Sequence, residues 1–394
     1  MKISIITPTH NPVYLKELEQ TILNNTYQNW EWIILLNNGA EYKSNDKRIK
    51  IIQSKTNSTK VGALKKEACS YATGEVIAEV DHDDLITSDC LAEVVKAFEN
   101  KNIGFVFSEN AKLSDDFKPY NPYYGWTYKK YNHNGKELFA MNNQPITPGR
   151  LGYIWFAPDH IRAWRKSTYD EIGGHNENLS ICDDQDLMHR LYLVTEFKAM
   201  DKVLYIYRIT GENTWLERNQ EIQQTTVNIY HQNIEKLAFR FSELNGLKNI
   251  DLCGGFNSPK GYTSIDLQNA DIITNLNNGI PLPDNSCGIV RAFDALEHLR
   301  DIQFTMKEIH RVLAPGGILL SRTPSTDGRG AWQDPTHVSF WNENSFWYWT
   351  RPEQMQFIHN TRYKFFESSL RTFFPSKWHK DNKISYVEAN LEKI

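Results

Sequence analysis

Short apolar runs that end in polar turns alternate with amphipathic stretches along the first half of the chain. The apolar runs are KISIITPTH, WEWIILLNNG, GEVIAEVDHDD and IGFVFS. Patterns of helical period lie between them, over about 14–24, 61–71 and 89–100. This alternation predicts an α/β fold around a mostly parallel sheet, in which ligands bind at the carboxyl ends of the strands.

A second series of strands begins after a long polar stretch. Residues 215–247 are helical in pattern and poor in Gly and Pro, and the runs NIDLCGG, GYTSIDL, CGIVRAFDAL and GGILLSRTP follow. Strand, Gly-rich turn and a strand ending in Asp form a Rossmann-like order. We therefore predict two α/β domains, 1–213 and 248–394, joined by a helical connector at 214–247.

Composition and charge limit the partners and the cellular compartment that fit this chain. The formal net charge is -4, so no overall basic field indicates a nucleic-acid partner. No apolar run approaches the roughly 18 residues of a transmembrane helix, and the first residues read as a strand rather than a signal peptide. The five scattered cysteines form no CxxC pair, which favours a reducing cytoplasm without structural zinc. The sequence leaves the oligomeric state open, a homo-oligomer included.

Two acidic clusters carry candidate chemistry. Asp81 and Asp83 stand two apart at the end of a strand, so both carboxylates point to one side, as ligands of Mg²⁺ or Mn²⁺ would. Asp183 and Asp184 open a predicted helix, where a carboxylate is stabilised and is able to deprotonate an acceptor hydroxyl. An Asp-rich turn also caps a following helix, so a purely structural interpretation stays open for both clusters.

Together these motifs resemble family-2 glycosyltransferases of the GT-A fold, over residues 1–208. The resemblance rests on ISIITPTHNP, IILLNNG, ATGEVIAEVDHDD and DDQDLMHRL. It implies a nucleotide-sugar donor, a glycan or glycolipid acceptor and in-line inversion with Asp184 as the single base. The donor would contact Thr7, Pro8, Thr9, Asn37, Asn38, Asp81, Asp83 and Arg208, with Asp83 and Asp81 at the metal.

Two departures from the family pattern bear on the donor. The family often has two acids where this chain has Asn37 and Asn38, and amides form a different hydrogen-bonding pattern, so the nucleotide stays open. Thr210 stands where the family often has a His after Arg208, which bears on how tightly a metal is held. The aromatic segment 120–167 is predicted to bind the acceptor, with Asp183 nearby and Trp155 or Trp164 stacking on sugars; packing is the alternative.

The second domain resembles class I S-adenosylmethionine-dependent methyltransferases over 249–350. The turn after Asp251 has Cys253 at the family's first glycine position, followed by Gly254 and Gly255. The resemblance implies that Asp251 and this turn hold the cofactor, that Asp266 binds the ribose and that Asn275 faces the adenine.

The run WQDPTHVSFWNENSFWYW follows the last parallel strand of this domain. His337 is a candidate base for an acceptor hydroxyl, with Asp334 and Trp332 beside the acceptor. A turn that only packs is the alternative.

The chain is thus predicted to be a bifunctional enzyme that adds a sugar and O-methylates a sugar during polysaccharide biosynthesis. One rival is a glycosyltransferase whose second domain only binds glycan or dimerises, which the altered glycine turn favours. The other is a nucleotidyltransferase, against which the Asp184 cluster argues.

Overall fold

The computed structural model describes residues 1–56, 58–120, 125–155, 159–211, 213–358 and 363–394. The chain forms two compact units, Met1–Ile146 with Tyr153–Asn233, and Thr147–Gly152 with Ile234–Ile394. The predicted limits of the connector, 214 and 247, stay predictions. Within the described ranges, no helix is long and apolar enough to cross a membrane.

The first unit is built on a mixed sheet, which has ten strands among the described residues. The strand order along it is β3-β2-β1-β4-β9-β6-β10-β5, with the β7–β8 hairpin paired to β6. The strands are β1 (Ile3–Thr9), β2 (Trp30–Leu36), β3 (Ile49–Gln53), β4 (Val76–Glu79), β5 (Leu85–Ile86), β6 (Ile103–Leu113), β7 (Tyr128–His133), β8 (Lys136–Met141), β9 (Arg162–Arg165) and β10 (Glu196–Arg208).

The predicted α/β class is confirmed, but the sheet is not mostly parallel. Strands β1–β4 pair in parallel, whereas β9 lies antiparallel between β4 and β6. Its sequence RAWR is too short and too rich in arginine to stand out as a buried strand, and tertiary pairing determines its conformation.

Amphipathic helices cover this sheet. Apolar residues of α1 and α3 join those of β1, β2 and β4 in one core, among them Leu18, Ile22 and Val94. The helices are α1 (Leu15–Leu23), α2 (Val61–Ser70), α3 (Cys90–Ala97), α5 (Lys166–Glu171), α6 (Asp183–Tyr192) and α7 (Thr214–Glu217), with α4 (Pro148–Leu151) in the second unit. The long helix α8 (Asn219–Asn245) follows and contributes to both units.

The second unit has the strand order β13-β12-β11-β14-β15-β17-β16. Strands β11 to β15 pair in parallel, and β17 runs antiparallel between β15 and β16. The bounds are β11 (Lys248–Leu252), β12 (Thr263–Asp266), β13 (Ile272–Ile273), β14 (Cys287–Phe293), β15 (Leu313–Pro324), β16 (Phe365–Phe373) and β17 (Tyr386–Lys393), with helices α9 (Ile302–Val312), α10 (Gly330–Gln333), α11 (Glu343–Thr350), α12 (Pro352–Met355) and α13 (Lys377–Asp381).

Residues 253–262 between β11 and β12 hold a short 3-10 turn instead of a crossover helix. The C-terminal part of α8 packs beside this connection: the ring centroids of Phe239 and Tyr262 lie 5.0 Å apart, and the Tyr262 hydroxyl donates to Glu235. Helices α9 and α11 join the core of the same sheet.

Residues 147–152 belong to the second unit although they lie within the sequence of the first. The Gly149 N–H donates to the buried carboxylate of Glu392 on β17 (2.9 Å). The Arg150 guanidinium lies 3.4 Å from the ring centroid of Phe366 on β16. This short segment therefore packs on the last two strands of the chain and on β15.

Glu31 anchors the amino end of β2 through a buried charge network. Its carboxylate accepts hydrogen bonds from Lys2 (2.7 Å) and from the Ser4 hydroxyl (2.6 Å), and it pairs with Lys50 (2.7 Å). Burial alone would raise the pKa of Glu31, but Lys2 and Lys50 hold it well below the ordinary value. The ionised form is therefore the one that stabilises the fold.

We expect Glu31→Gln to lower the free energy of unfolding by about 2 kcal/mol at pH 7, since it removes charge-assisted hydrogen bonds. This difference in the free energy of unfolding should be constant above the ordinary Glu pKa of about 4.3. It should shrink at lower pH, because the carboxylate of the unfolded chain is protonated before that of the folded protein. Urea unfolding across this pH range measures it. The exposed Glu75→Gln is the control; an equal loss there would contradict the prediction.

Candidate functional site

The carboxyl ends of three adjacent parallel strands bring the predicted donor residues together. Strand β1 lies between β2 and β4. The Asn37 N–H donates to the Thr9 carbonyl (3.0 Å), and the Val80 N–H donates to the Ile6 carbonyl (3.2 Å). Asp81 thus follows β4 beside the end of β1, on the edge where such sheets bind ligands.

Two of the predicted donor contacts turn away from this edge. The Thr7 hydroxyl is buried, donates to the Val80 carbonyl and accepts from the Trp32 indole. The Thr9 hydroxyl donates to the Asn11 carbonyl. Both threonines therefore shape the strand end from within, whereas Pro8 is partly exposed and Asn38 is exposed, with a left-handed backbone.

Asp81 is held in place by a histidine that sequence analysis missed. His160 Nε2 lies 3.4 Å from the Asp81 carboxylate, and His160 Nδ1 lies 3.1 Å from Asp159. Burial and the nearby Arg162 disfavour the imidazolium, but the two carboxylates outweigh them and raise the pKa of His160 to about 9. In the sequence, His160 precedes an arginine-rich strand that showed no pattern, so nothing linked it to Asp81.

The acidic turn after β4 suits a cation. Asp84 is buried and accepts the Arg208 N–H (2.7 Å), while the Arg208 guanidinium donates to the Asp83 carbonyl (2.7 Å). Burial and the charge of Asp81 raise the pKa of Asp83. Oxygen ligands whose mutual repulsion a cation would relieve fit Mg²⁺ or Mn²⁺, with Asp83 partly exposed beside Asp81.

Asp184 and Asp183 open α6, but their surroundings differ. Asp184 accepts from the buried guanidinium of Arg162 on β9 (2.7 Å), and its side chain is 21 % exposed. Although burial opposes it, Arg162, followed by Lys65, keeps the pKa of Asp184 below the ordinary value.

Asp183 is 5 % exposed and lies 3.2 Å from the Lys65 ammonium, which also contacts Glu79 (2.9 Å). Burial raises the pKa of Asp183. The structure therefore places Asp183 inside the charge network, with little of its side chain exposed. Asp186 and Arg190 form an ion pair on the same helix at 2.6 Å.

The predicted acceptor aromatics divide into two groups. Trp155 stacks on Tyr153, which stacks in turn on Tyr230 (centroids 4.8 and 4.4 Å apart). Trp164 is fully buried next to Phe105, so the alternative of packing is correct for it. Parts of the predicted acceptor segment, 121–124 and 156–158, lie outside the described residues.

In the second unit, the glycine turn follows β11 as predicted. Cys253 and Gly255 have positive φ of 55° and 49°. A side chain at Gly254 would meet the Asp251 carboxylate, which is buried and bound to the Arg291 guanidinium at 2.8 and 2.9 Å. Asp251 thus supports the turn from beneath.

The carboxylate that ends β12 lies against this turn. A Cβ at Gly255 would be 3.3 Å from Asp266 Oδ2. The structure therefore brings the turn and the predicted ribose ligand together, whereas Asn275 is exposed and caps the 3-10 turn that follows β13.

Residues 332–337 include an exposed tryptophan ring and a histidine that contacts a backbone carbonyl. Trp332 is 61 % exposed and stacks on Phe340 (4.5 Å). Asp334 accepts from the Thr336 hydroxyl (2.7 Å) and N–H (2.8 Å). His337 Nδ1 lies 3.0 Å from the Ala331 carbonyl, so in the neutral ring Nδ1 donates and Nε2 has the lone pair.

Comparison with known proteins agrees with both halves of this description. The profile for "Glycosyl transferase family 2" matches residues 4–172, and the profile for "Methyltransferase domain" matches 250–321. An uncharacterized glycosyltransferase of Methanocaldococcus jannaschii is 33 % identical over 236 residues, which cover 55 % of this chain and 73 % of the relative.

More distant similarity extends to larger proteins. A chondroitin synthase of Escherichia coli is 20 % identical over 64 % of this chain, but the match spans 35 % of the synthase. The structure of S. aureus TarS 1-349 in complex with UDP-GlcNAc superposes with a TM-score of 0.43 and 17 % identity, over 62 % of this chain and 73 % of that TarS fragment. The chain belongs to the family-2 glycosyltransferases and carries a methyltransferase-like domain fused behind the transferase fold.

Proposed function

We propose that the first unit transfers a sugar, with inversion, from a nucleotide-sugar donor to a glycan or glycolipid hydroxyl, with Asp184 as the base. The observation that carries this proposal is the asymmetry of the two acids that open α6. Asp184 is more exposed than Asp183 (21 % against 5 %) and is paired with Arg162, whereas Asp183 is committed to Lys65.

The charges around Asp184 suit a base whose activity depends on where its carboxylate is held. The acceptor oxygen bonds to the anomeric carbon as the bond from that carbon to the diphosphate breaks, and the hydroxyl proton passes to the Asp184 carboxylate. Arg162 keeps this carboxylate ionised and fixes its direction. One base and one in-line attack invert the anomeric centre.

The donor would lie along the ends of β1, β2 and β4, beside Pro8, Asn37, Asn38 and Asp81. Asp83, with Asp81, would hold Mg²⁺ or Mn²⁺, which when bound neutralises the departing diphosphate. Arg208 fixes the acidic turn through the Asp83 carbonyl and the Asp84 carboxylate. The stacked Trp155 is the proposed acceptor contact.

For the second unit we propose transfer of a methyl group from S-adenosylmethionine to a sugar hydroxyl. The position of Asp266 next to the Gly255 turn supports it, because an acid at the end of the second strand suits ribose hydroxyls. Trp332 and Asp334 would receive the acceptor, and the free Nε2 of His337 suits either a base or a cation ligand. Two activities in one chain raise the local concentration of a shared intermediate.

Asp184→Asn should lower acceptor-dependent release of nucleoside diphosphate by about 10²–10⁴-fold, since it removes the general base. Donor affinity should change little, because the amide keeps the size of the side chain. Steady-state kinetics on a panel of UDP- and GDP-sugars with sugar acceptors measures both. Asp186→Asn, on the same helix, is the matched control. A larger loss in Asp183→Asn would place the base one residue earlier.

Asp83→Ala should abolish the stimulation of nucleoside diphosphate release by Mg²⁺ or Mn²⁺, because the proposed cation ligand is lost. A metal titration of the reaction rate is the measurement, with the exposed Asp115→Ala as control. Full activity of the variant in the presence of a chelator would refute the metal assignment.

Asp266→Ala should weaken S-adenosylmethionine binding by more than about tenfold, which corresponds to 1.4 kcal/mol from its hydroxyl contacts. Calorimetry on the full-length chain is the test, with the exposed Asp301→Ala as control. No heat from the wild type with S-adenosylmethionine or its demethylated product would instead favour a second domain that only binds glycan or dimerises.

A further inference from the structure

Three side chains at the carboxyl end of the second sheet face one another. Glu297 and His298 lie in the 3-10 turn after β14, and His337 lies in the loop after α10. One possible ligand atom from each lies within 4.8 Å of the other two. The rings of His298 and His337 meet edge to face, with centroids 5.1 Å apart. Of these three residues, only His337 was a candidate site residue from the sequence.

Glu297 has one carboxylate oxygen without a hydrogen-bond partner in the part of the chain that the structure describes. The residue is 2 % exposed, and its Oε2 accepts from the Thr323 hydroxyl at the end of β15 (2.6 Å). Its Oε1 is buried and has no hydrogen-bond partner among the described residues. A buried carboxylate oxygen normally lies beside a hydrogen-bond donor or a cation. We therefore expect Glu297 Oε1 to bind one of the two.

Both histidines have the tautomer that suits a metal. His337 Nδ1 faces the Ala331 carbonyl, which only accepts, so this nitrogen must carry the proton. His298 Nδ1 lies 3.3 Å from the Thr336 carbonyl and 3.3 Å from the Thr336 hydroxyl. Since that hydroxyl donates to Asp334 (2.7 Å), His298 Nδ1 is the donor as well. In the neutral ring each Nε2 then has the lone pair that a metal needs, while Nδ1 donates to a carbonyl as the second nitrogen of a metal-binding histidine commonly does.

We propose that Glu297, His298 and His337 bind one divalent transition-metal ion of the Zn²⁺ or Co²⁺ type. Two imidazoles and one carboxylate suit such ions and leave coordination positions open. Asp334, whose carboxylate lies 3.9 Å from His337 Nε2, stands beside the site.

The cluster lies at the carboxyl end of the second sheet, where the proposed methyl transfer would take place. The role of the metal in that reaction rests on the proposed function of this unit. A bound cation lowers the pKa of a hydroxyl that it coordinates. The acceptor oxygen then bonds to the methyl carbon as the carbon–sulfur bond breaks, and its proton leaves to solvent. His337 acts here as a ligand and not as the base.

Co²⁺ titration of the full-length protein, freed of metal by chelation and followed by visible absorption, tests the site. We expect one Co²⁺ per chain with the spectrum of a nitrogen-containing site, displaced by Zn²⁺. His337→Ala and His298→Ala should each weaken binding by more than about tenfold. Asp83→Ala should retain this spectrum, which separates it from any cation in the first unit, and His379→Ala is the histidine control.

Binding of equal strength in wild type and both cluster variants, or no such spectrum in the wild type, would overturn the proposal. Thermal unfolding by circular dichroism checks each variant, and the more exposed His298 decides if His337→Ala does not fold. Because the titration contains no S-adenosylmethionine, metal binding without cofactor binding would keep the site and refute methyl transfer. Loss of methyl transfer in His337→Ala without metal binding would leave His337 as the base.

Discussion

The charge balance at the start of α6, beneath the proposed active site of the first unit, is the constraint on which the transferase fold depends. Glu79 and Asp183 are buried side by side, and an uncompensated buried carboxylate is too costly for a stable protein. Lys65 from α2 and Arg162 from β9 supply the compensating charge. Helix α6 can begin with two acids at this place only because those cations lie under it.

This constraint also explains the mixed sheet. Strand β9 inserts antiparallel between β4 and β6, which puts Arg162 opposite Glu79 in the pairing register. From there its guanidinium reaches Asp184. A mostly parallel sheet, as predicted from the sequence, would lack this arginine at its centre. The antiparallel strand β9 therefore accounts both for the irregular strand order and for the cation beside the proposed base.

Much of the fold followed from the sequence, because buried apolar runs and helical periods are local signals. The ends of β1, β2 and β4, the start of α6 and the turn after β11 were all predicted from such patterns. The partners of the acids were not, since Lys65, His160 and Arg162 reach them only through tertiary contacts. The directions of side chains were not predictable from the sequence either. Thr7 lies in a motif at a strand end, yet its hydroxyl donates a hydrogen bond into the interior. Likewise Glu297 and His337 meet only through a loop.

The segment 147–152 affects the order in which the protein can be completed during synthesis. The ribosome releases this segment well before β16 and β17, whose Phe366 and Glu392 hold it. Domains generally fold as they emerge, from the amino terminus onward. The segment is therefore made long before the strands β15, β16 and β17 that contact it, and its hydrogen bond to Glu392 can form only when the final strand of the second unit has been synthesised.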